Sequence, residues 1–170
     1  MPETPEEFHV RVAGTLRTPP VETWDTWPFE GGVDCGRCTA GDDEYIWTNE
    51  RWRLFAPPEP SGLPIVVLLE PREHLDAPGE LPDDLAAELG LLIARIERAI
   101  SSVDGIGRVH IGRWGEGGAH MHWWFMGRPE GMEQLRSSFA AVWDDVLPPT
   151  PGDVWRANLD TVVSALVGGA

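Results

Sequence analysis

The chain has 170 residues, and its 28 Asp and Glu outnumber its 13 Lys and Arg, so its formal net charge at pH 7 is −15. This length suits a single domain with a sizeable core, and the acidic balance excludes nucleic acid polymers, because a like-charged phosphate backbone is repelled. A single small anion stays compatible with the composition, since a few backbone N–H groups and one arginine can hold it.

The sequence contains no feature of a secreted or membrane-spanning protein. It has no hydrophobic leader and no apolar run near the ~20 residues that a membrane span needs. We therefore expect a cytoplasmic protein that does not contact a membrane.

The first segment, residues 1–32, is a proline-rich N-terminal arm, with five prolines among acidic residues and threonines. This composition argues against a long helix. Trp24, Trp27 and Phe29 would expose their rings to water if the arm were free. The arm is therefore expected to be pinned to the body of the protein or to a partner.

The two cysteines of the chain, Cys35 and Cys38, lie three positions apart in the sequence Asp-Cys-Gly-Arg-Cys-Thr. This spacing allows two thiolates to converge on one tetrahedral metal ion. A pair of small buried thiols is the alternative. A disulfide is less favoured, because it would close a very short loop in a reducing compartment.

After the cysteines, the apolar pattern predicts a mixture of strands and helices. The predicted strands are a hairpin at 44–49 and 52–55, a central strand at 63–69 that leads to His74, and a strand at 105–114. The predicted helices lie at 82–102, 132–146 and 153–167. The side chains expected to face inward in the second helix are Leu135, Phe139, Val142, Trp143 and Val146.

The segment 117–128, Gly-Gly-Ala-His-Met-His-Trp-Trp-Phe-Met-Gly-Arg, concentrates two of the five histidines in an apolar run. If it is a strand, alternation puts one set of side chains on the face that carries chemistry and the other set on the face that packs. The first set is His120, His122 and Trp124, and the second is Met121, Trp123 and Phe125. Such imidazoles can bind metal, accept a proton or attack phosphorus, and hydrogen-bonded structural histidines are the alternative.

Taken together, the Cys-x-x-Cys turn, the segment Pro71-Arg72-Glu73-His74, an amphipathic helix, a glycine-rich hairpin and His120-Met121-His122 follow a recognisable order. This order resembles the histidine-triad superfamily of nucleotide hydrolases and transferases over residues 33–130. The resemblance implies an α+β fold, in which an antiparallel sheet with flanking helices forms a single domain. We accordingly divide the chain into the arm at 1–32, a histidine-triad-like domain at 33–147 and a C-terminal helix at 148–170 packed on that domain.

The resemblance also implies a metal site and a nucleophile. In zinc-bearing branches of the superfamily, the positions equivalent to Cys35, Cys38, His74 and His120 hold a zinc ion, and a closed set of this kind is structural. The middle histidine of the triad, here His122, is the nucleophile that attacks the phosphate of a small nucleotidylated or phosphorylated substrate. Gly117 and Gly118 would let backbone N–H groups approach that phosphate, although a plain hairpin turn explains them equally well.

The sequence departs from the family pattern at the third histidine. Trp124 stands there, and an indole can donate one hydrogen bond but cannot shuttle a proton. Arg113 is a candidate for supplying the lost charge at the substrate, and a solvated arginine over an apolar surface is the alternative. The alternative hypothesis is therefore a catalytically silent member of the family that binds a ligand or a protein in a tryptophan-lined cleft. The family habit implies a homodimer.

Overall fold

The structure, a computed structural model, describes residues 34–114, 120–132, 135 and 139–168. Five strands form one antiparallel sheet in the order β1-β2-β3-β5-β4. The strands are β1 (Trp47–Thr48), β2 (Trp52–Phe55), β3 (Ile65–Pro71), β4 (Ile106–Gly112) and β5 (Trp123–Pro129). The helices are the short α1 (Gly36–Thr39), then α2 (Asp83–Ser101), α3 (Phe139–Val146) and α4 (Gly152–Gly168). This is the predicted single domain with an antiparallel sheet and flanking helices.

One face of the sheet is covered by α2 and α4. Helix α2 buries a stripe that recurs at helical spacing, which is why the prediction for 82–102 agrees with the structure within one residue at each end. The stripe comprises Leu85, Leu89, Leu92, Ile96, Ala99 and Ile100. Helix α4 adds Leu159, Val162 and Leu166 to the same core cluster. Met121, Trp123 and Phe125 pack here as the alternation predicted.

The opposite face carries a smaller core under α3, in which Val66, Leu68 and Met126 of the sheet meet Ala140 and Leu147. The predicted inward face of this helix is wrong at Val142, which is 60% exposed. Leu135 is buried as predicted and Trp143 packs against this core, and the further buried positions are Ala140 and Asp144 of α3 and Leu147 just after it.

The buried carboxylate of Asp144 sets the rotation of α3, because its Oδ1 accepts a hydrogen bond from the backbone N–H of Leu63 at 2.8 Å. The apolar pattern alone could not show that a charged residue faces the sheet.

The central segment is also shorter as a strand than predicted. Strand β5 begins at Trp123, so His120 and His122 lie in the irregular segment just before it. The N–H of Met121 donates to the carbonyl of Leu75 at 2.7 Å, in a loop and not in a neighbouring strand. Both histidines are thereby placed beside the loop that follows β3. No helix among the described residues is long and apolar enough to cross a membrane.

Candidate metal centre and histidine site

Four side chains from three separate segments converge beside the end of β3. Cys35 lies just before α1 and Cys38 lies within it. His74 follows β3, and His120 precedes β5. One possible ligand atom from each lies within 4.8 Å of all the others. The structure thus brings together all four residues that the sequence assigned to a metal, and they form a group that could hold a metal ion.

The distances within this group fit a tetrahedral ion. The Nδ1 atom of His120 lies 3.6 Å from each sulfur, and the Sγ of Cys38 lies 3.2 Å from Nδ1 of His74. Zinc–sulfur and zinc–nitrogen bonds of about 2.3 and 2.0–2.1 Å at a tetrahedral angle imply a sulfur–nitrogen separation of about 3.6 Å. The two separations of 3.6 Å match this value and the separation of 3.2 Å is shorter, and two cysteines with two histidines are a donor set that zinc takes in proteins.

The far nitrogen of each imidazole in the group is also held. Nε2 of His120 donates to the carbonyl of Pro71 at 2.8 Å, and Nε2 of His74 lies 2.8 Å from the Asp76 carboxylate. Because a carbonyl only accepts, His120 must carry its proton on Nε2, so Nδ1 offers its lone pair to the thiols. Such partners fix the tautomer and orientation of metal-binding histidines. Asp76, two residues after His74, was not predicted.

Desolvation shifts the pKa values of two members of the group, His120 and Cys38. Desolvation lowers the pKa of His120 from its ordinary value and outweighs the opposing hydrogen bond to Pro71. Desolvation also raises the pKa of the Cys38 thiol, and the hydrogen bond and charge of Cys35 add to this effect. A neutral imidazole is the form that ligates metal, and a metal that binds the thiols must displace protons.

A buried ion cluster fastens the cysteine turn to the sheet, and sequence reasoning missed it. Glu70, 1% exposed on β3, accepts a hydrogen bond from the Nε of Arg37 at 2.9 Å and forms an ion pair with Nη2 of Arg53 at 3.0 Å. The hydroxyl of Tyr45 donates to the same carboxylate at 2.6 Å. Burial and this bond raise the pKa of Tyr45. Arg37 lies between the two cysteines, so the cluster positions both thiols.

His122, the predicted nucleophile, lies half-buried beyond the metal group. Its Nδ1 donates to the carbonyl of His120 at 2.9 Å. A carbonyl oxygen can only accept a hydrogen bond, so the proton of the neutral ring resides on Nδ1. Nε2 is then the nitrogen that carries the lone pair. The imidazole lies 5.8 Å from the Trp124 ring, centroid to centroid, at an interplanar angle of 66°. An indole therefore lies beside His122.

Four predicted substrate-binding residues remain: Arg113, Trp124, Gly117 and Gly118. Arg113, at the end of β4, donates from Nη2 to the carbonyl of Asp76 at 2.6 Å, so its guanidinium ties β4 to the loop that carries His74. Gly117 and Gly118 lie outside the described residues. Trp124 contacts the ring of Trp114 edge-on at 6.1 Å, and this pair begins a cleft between the sheet and α3.

Comparison with solved structures identifies the fold. A Zn-bound histidine triad family protein from Mycobacterium smegmatis superposes with a TM-score of 0.58 at 18% identity, over 81% of this chain and 98% of that one. A hypothetical histidine triad nucleotide-binding protein from Sulfolobus tokodaii gives 0.57 at 15% identity, over 79% and 93%. A uridylyltransferase mutant gives 0.56 at 16%, over 80% and 48%. No family model and no curated protein matches the sequence.

The chain therefore has the histidine-triad fold, as the sequence resemblance predicted.

Proposed function

We propose that this protein is an enzyme of the histidine-triad type, which cleaves or transfers a nucleotidyl or phosphoryl group of a small molecule through His122. The fold supports the class, and one observation carries the assignment of the residue. Because Nδ1 of His122 donates to the His120 carbonyl at 2.9 Å, the ring is held in the tautomer whose Nε2 can attack phosphorus.

The proposed reaction has two steps. Nε2 of His122 attacks the phosphorus, a nitrogen–phosphorus bond forms, and the bond from phosphorus to the leaving group breaks with its electron pair on the leaving group. Water or another acceptor hydroxyl then attacks the same phosphorus, loses its proton to solvent, and displaces the imidazole. The phosphate ester is released and His122 returns to its starting form.

Trp124 determines which substrates suit this reaction. Its indole N–H can donate a hydrogen bond but cannot deliver a proton at neutral pH. The leaving group must therefore depart as a stable anion or take its proton from water. Substrates with good leaving groups are expected to react much faster than substrates whose leaving group must be protonated.

The four-residue metal group would hold a structural zinc ion through Cys35, Cys38, His74 and His120. When bound, the ion supplies a rigid crosslink between the cysteine turn, the loop after β3 and the segment before β5. Its four positions are filled by protein, so it leaves none for substrate. A reducing compartment such as the cytoplasm would keep both thiols available to the metal.

Trapping the covalent intermediate tests the nucleophile. Purified protein is mixed with nucleoside phosphoramidates, dinucleotides and nucleotide sugars, quenched, and analysed by intact mass. A mass increase of one nucleotidyl or phosphoryl group is expected, and it should disappear in His122→Ala but persist in His9→Ala, which removes a histidine of the N-terminal arm. An adduct that persists in His122→Ala would contradict the assignment.

A catalytically silent binding protein is the second candidate, and the indole of Trp124 beside His122 favours it. On this alternative, members of the same substrate panel bind without turnover and leave no adduct on the wild-type chain. Calorimetry on the panel, run beside the mass measurement, separates the two functions.

We also propose that the chain functions as a homodimer, because apolar rings in the N-terminal arm suit a covered interface. Sedimentation at micromolar concentration should give twice the 18.8 kDa mass of the chain. A chain that sediments at its own mass would contradict the dimer.

A further inference from the structure

A cleft runs along the sheet on the face that α3 covers only in part. It consists of two adjoining pockets of about 380 and about 180 Å3, which share Trp114, Met126 and Ala141. Met126 forms the floor on β5, and Ala140 and Ala141 of α3 form one wall. The small alanine side chains leave room between the helix and the indole opposite.

The indole of Trp114 forms the other wall. It is 41% exposed, so a part of this large aromatic surface is open to a ligand, and tryptophan is enriched at binding interfaces. The ring lies against Gly112, where a Cβ atom would come within 2.8 Å of the indole. The glycine therefore permits this position of the ring. Trp124 contacts Trp114 in a T-shaped arrangement, and the exposed part of the Trp114 indole is the surface on which a ligand ring would stack.

His110 marks the polar end of the cleft. Its Nε2 atom is buried and has no hydrogen-bond partner among the described residues, and a buried polar atom without a partner is destabilising. Arg108 and Arg128 face each other across β4 and β5, one step along the same face from His110 and Met126. Burial and the charges of these two arginines lower the pKa of His110.

We propose that this cleft binds a planar aromatic anion, with its ring stacked on Trp114 and its charged group at the His110 end. The arginines beside His110 attract a negative group, although the chain as a whole is acidic. Asp144 and Asp145 line the opposite end and repel it. The charges therefore fix the direction of the ligand, and the slot between the indole and the alanines selects a flat ring.

The cleft adjoins the proposed catalytic histidine but does not include it. The ring of Trp124 lies between them, 5.8 Å from His122 and 6.1 Å from Trp114. Binding of an aromatic anion is thus measurable without any turnover. The proposal stands even if His122 is not a nucleophile, and His122→Ala should leave the binding unchanged.

Calorimetry with three small probes tests the ligand class. Indole-3-carboxylate should bind at millimolar concentration or below, whereas cyclohexanecarboxylate, which lacks an aromatic face, and indole, which lacks the charge, should each bind at least about tenfold more weakly. Equal binding of cyclohexanecarboxylate would overturn the aromatic assignment, and equal binding of indole would overturn the anionic one. No detectable binding of any probe would overturn the proposal.

Two substitutions and a matched control locate the binding. Gly112→Ala displaces the indole without removing it and should weaken indole-3-carboxylate at least about tenfold, as should Trp114→Leu. Gly90→Ala adds the same methyl group on α2, where nothing lies within 4 Å, and should change nothing. Thermal unfolding verifies that each variant is folded. Unchanged affinity in folded Gly112→Ala and Trp114→Leu would place the probe elsewhere and refute the cleft.

Discussion

The metal group and the segment just beyond it differ in what their imidazoles contact among the described residues. Both nitrogens of His120 are engaged, one by a carbonyl and one by two thiols. His122, two residues later, engages Nδ1 through the carbonyl of His120. The difference separates His120, whose ring links segments of the fold, from His122, for which we propose the chemistry. Substitutions on the two sides should therefore fail in different ways.

The largest effect is expected at the metal group itself. Cys35→Ser should lose the metal and lower the free energy of unfolding by several kcal/mol, because structural zinc contributes roughly 10–16 kcal/mol in small zinc-folded peptides. Metal analysis and chemical denaturation measure both quantities. Full metal content in the Cys35→Ser, Cys38→Ser double variant would show that these cysteines do not hold the metal.

A smaller but still large effect is expected at Glu70. Glu70→Gln leaves Arg37 and Arg53 facing an uncharged amide inside the protein, and breaking a buried ion pair costs about 3–5 kcal/mol. Urea denaturation measures the loss. Glu130→Gln, at an exposed position, is the matched control and should change the stability by less than about 0.5 kcal/mol.

Asp76→Asn should lower the affinity for the metal without unfolding the protein. The carboxylate 2.8 Å from Nε2 of His74 orients that ligand, and loss of such a partner typically lowers metal affinity by about 10- to 100-fold. Competition with a chromophoric chelator gives the affinity. An unchanged affinity would mean that Asp76 has no part in holding the imidazole.

The smallest effect on stability is expected at His122. His122→Ala should keep the metal and shift the free energy of unfolding by less than about 1 kcal/mol, because a half-buried ring with one backbone hydrogen bond is removed. His120→Ala, beside it, should lose metal and several kcal/mol. If the two variants lost metal and stability equally, the distinction between the two histidines would fail.

The sequence predicted best where one physical signal dominated. The apolar stripe of α2 gave its ends to within one residue, and the alternation of Met121, Trp123 and Phe125 gave the packed face. The four residues of the metal group came from the resemblance to a family, since spacing alone left other readings open. The structure then brought their ligand atoms together.

The failures have physical causes as well. The segment of His120 and His122 has the alternation of a strand, but its backbone bonds to a loop at Leu75, and side-chain pattern cannot distinguish these cases. The predicted inward face of α3 was wrong at Val142, because the buried carboxylate of Asp144 faces the sheet and bonds to Leu63. The Glu70 cluster depends on contacts between residues 17 and 33 positions apart, which no local pattern reveals.

Three polar side chains from the last part of the chain hold the segment that leads into β3. Asp144 accepts from the N–H of Leu63, Thr150 donates to the carbonyl of Leu63, and Asn158 donates to the carbonyl of Pro64. The partners lie 81, 87 and 94 positions apart in the sequence. A ribosome releases β3 long before it has made these partners. We therefore expect the segment before β3 to gain these hydrogen bonds only after residues up to Asn158 have emerged, and a nascent chain that stops before Asp144 to remain sensitive to protease.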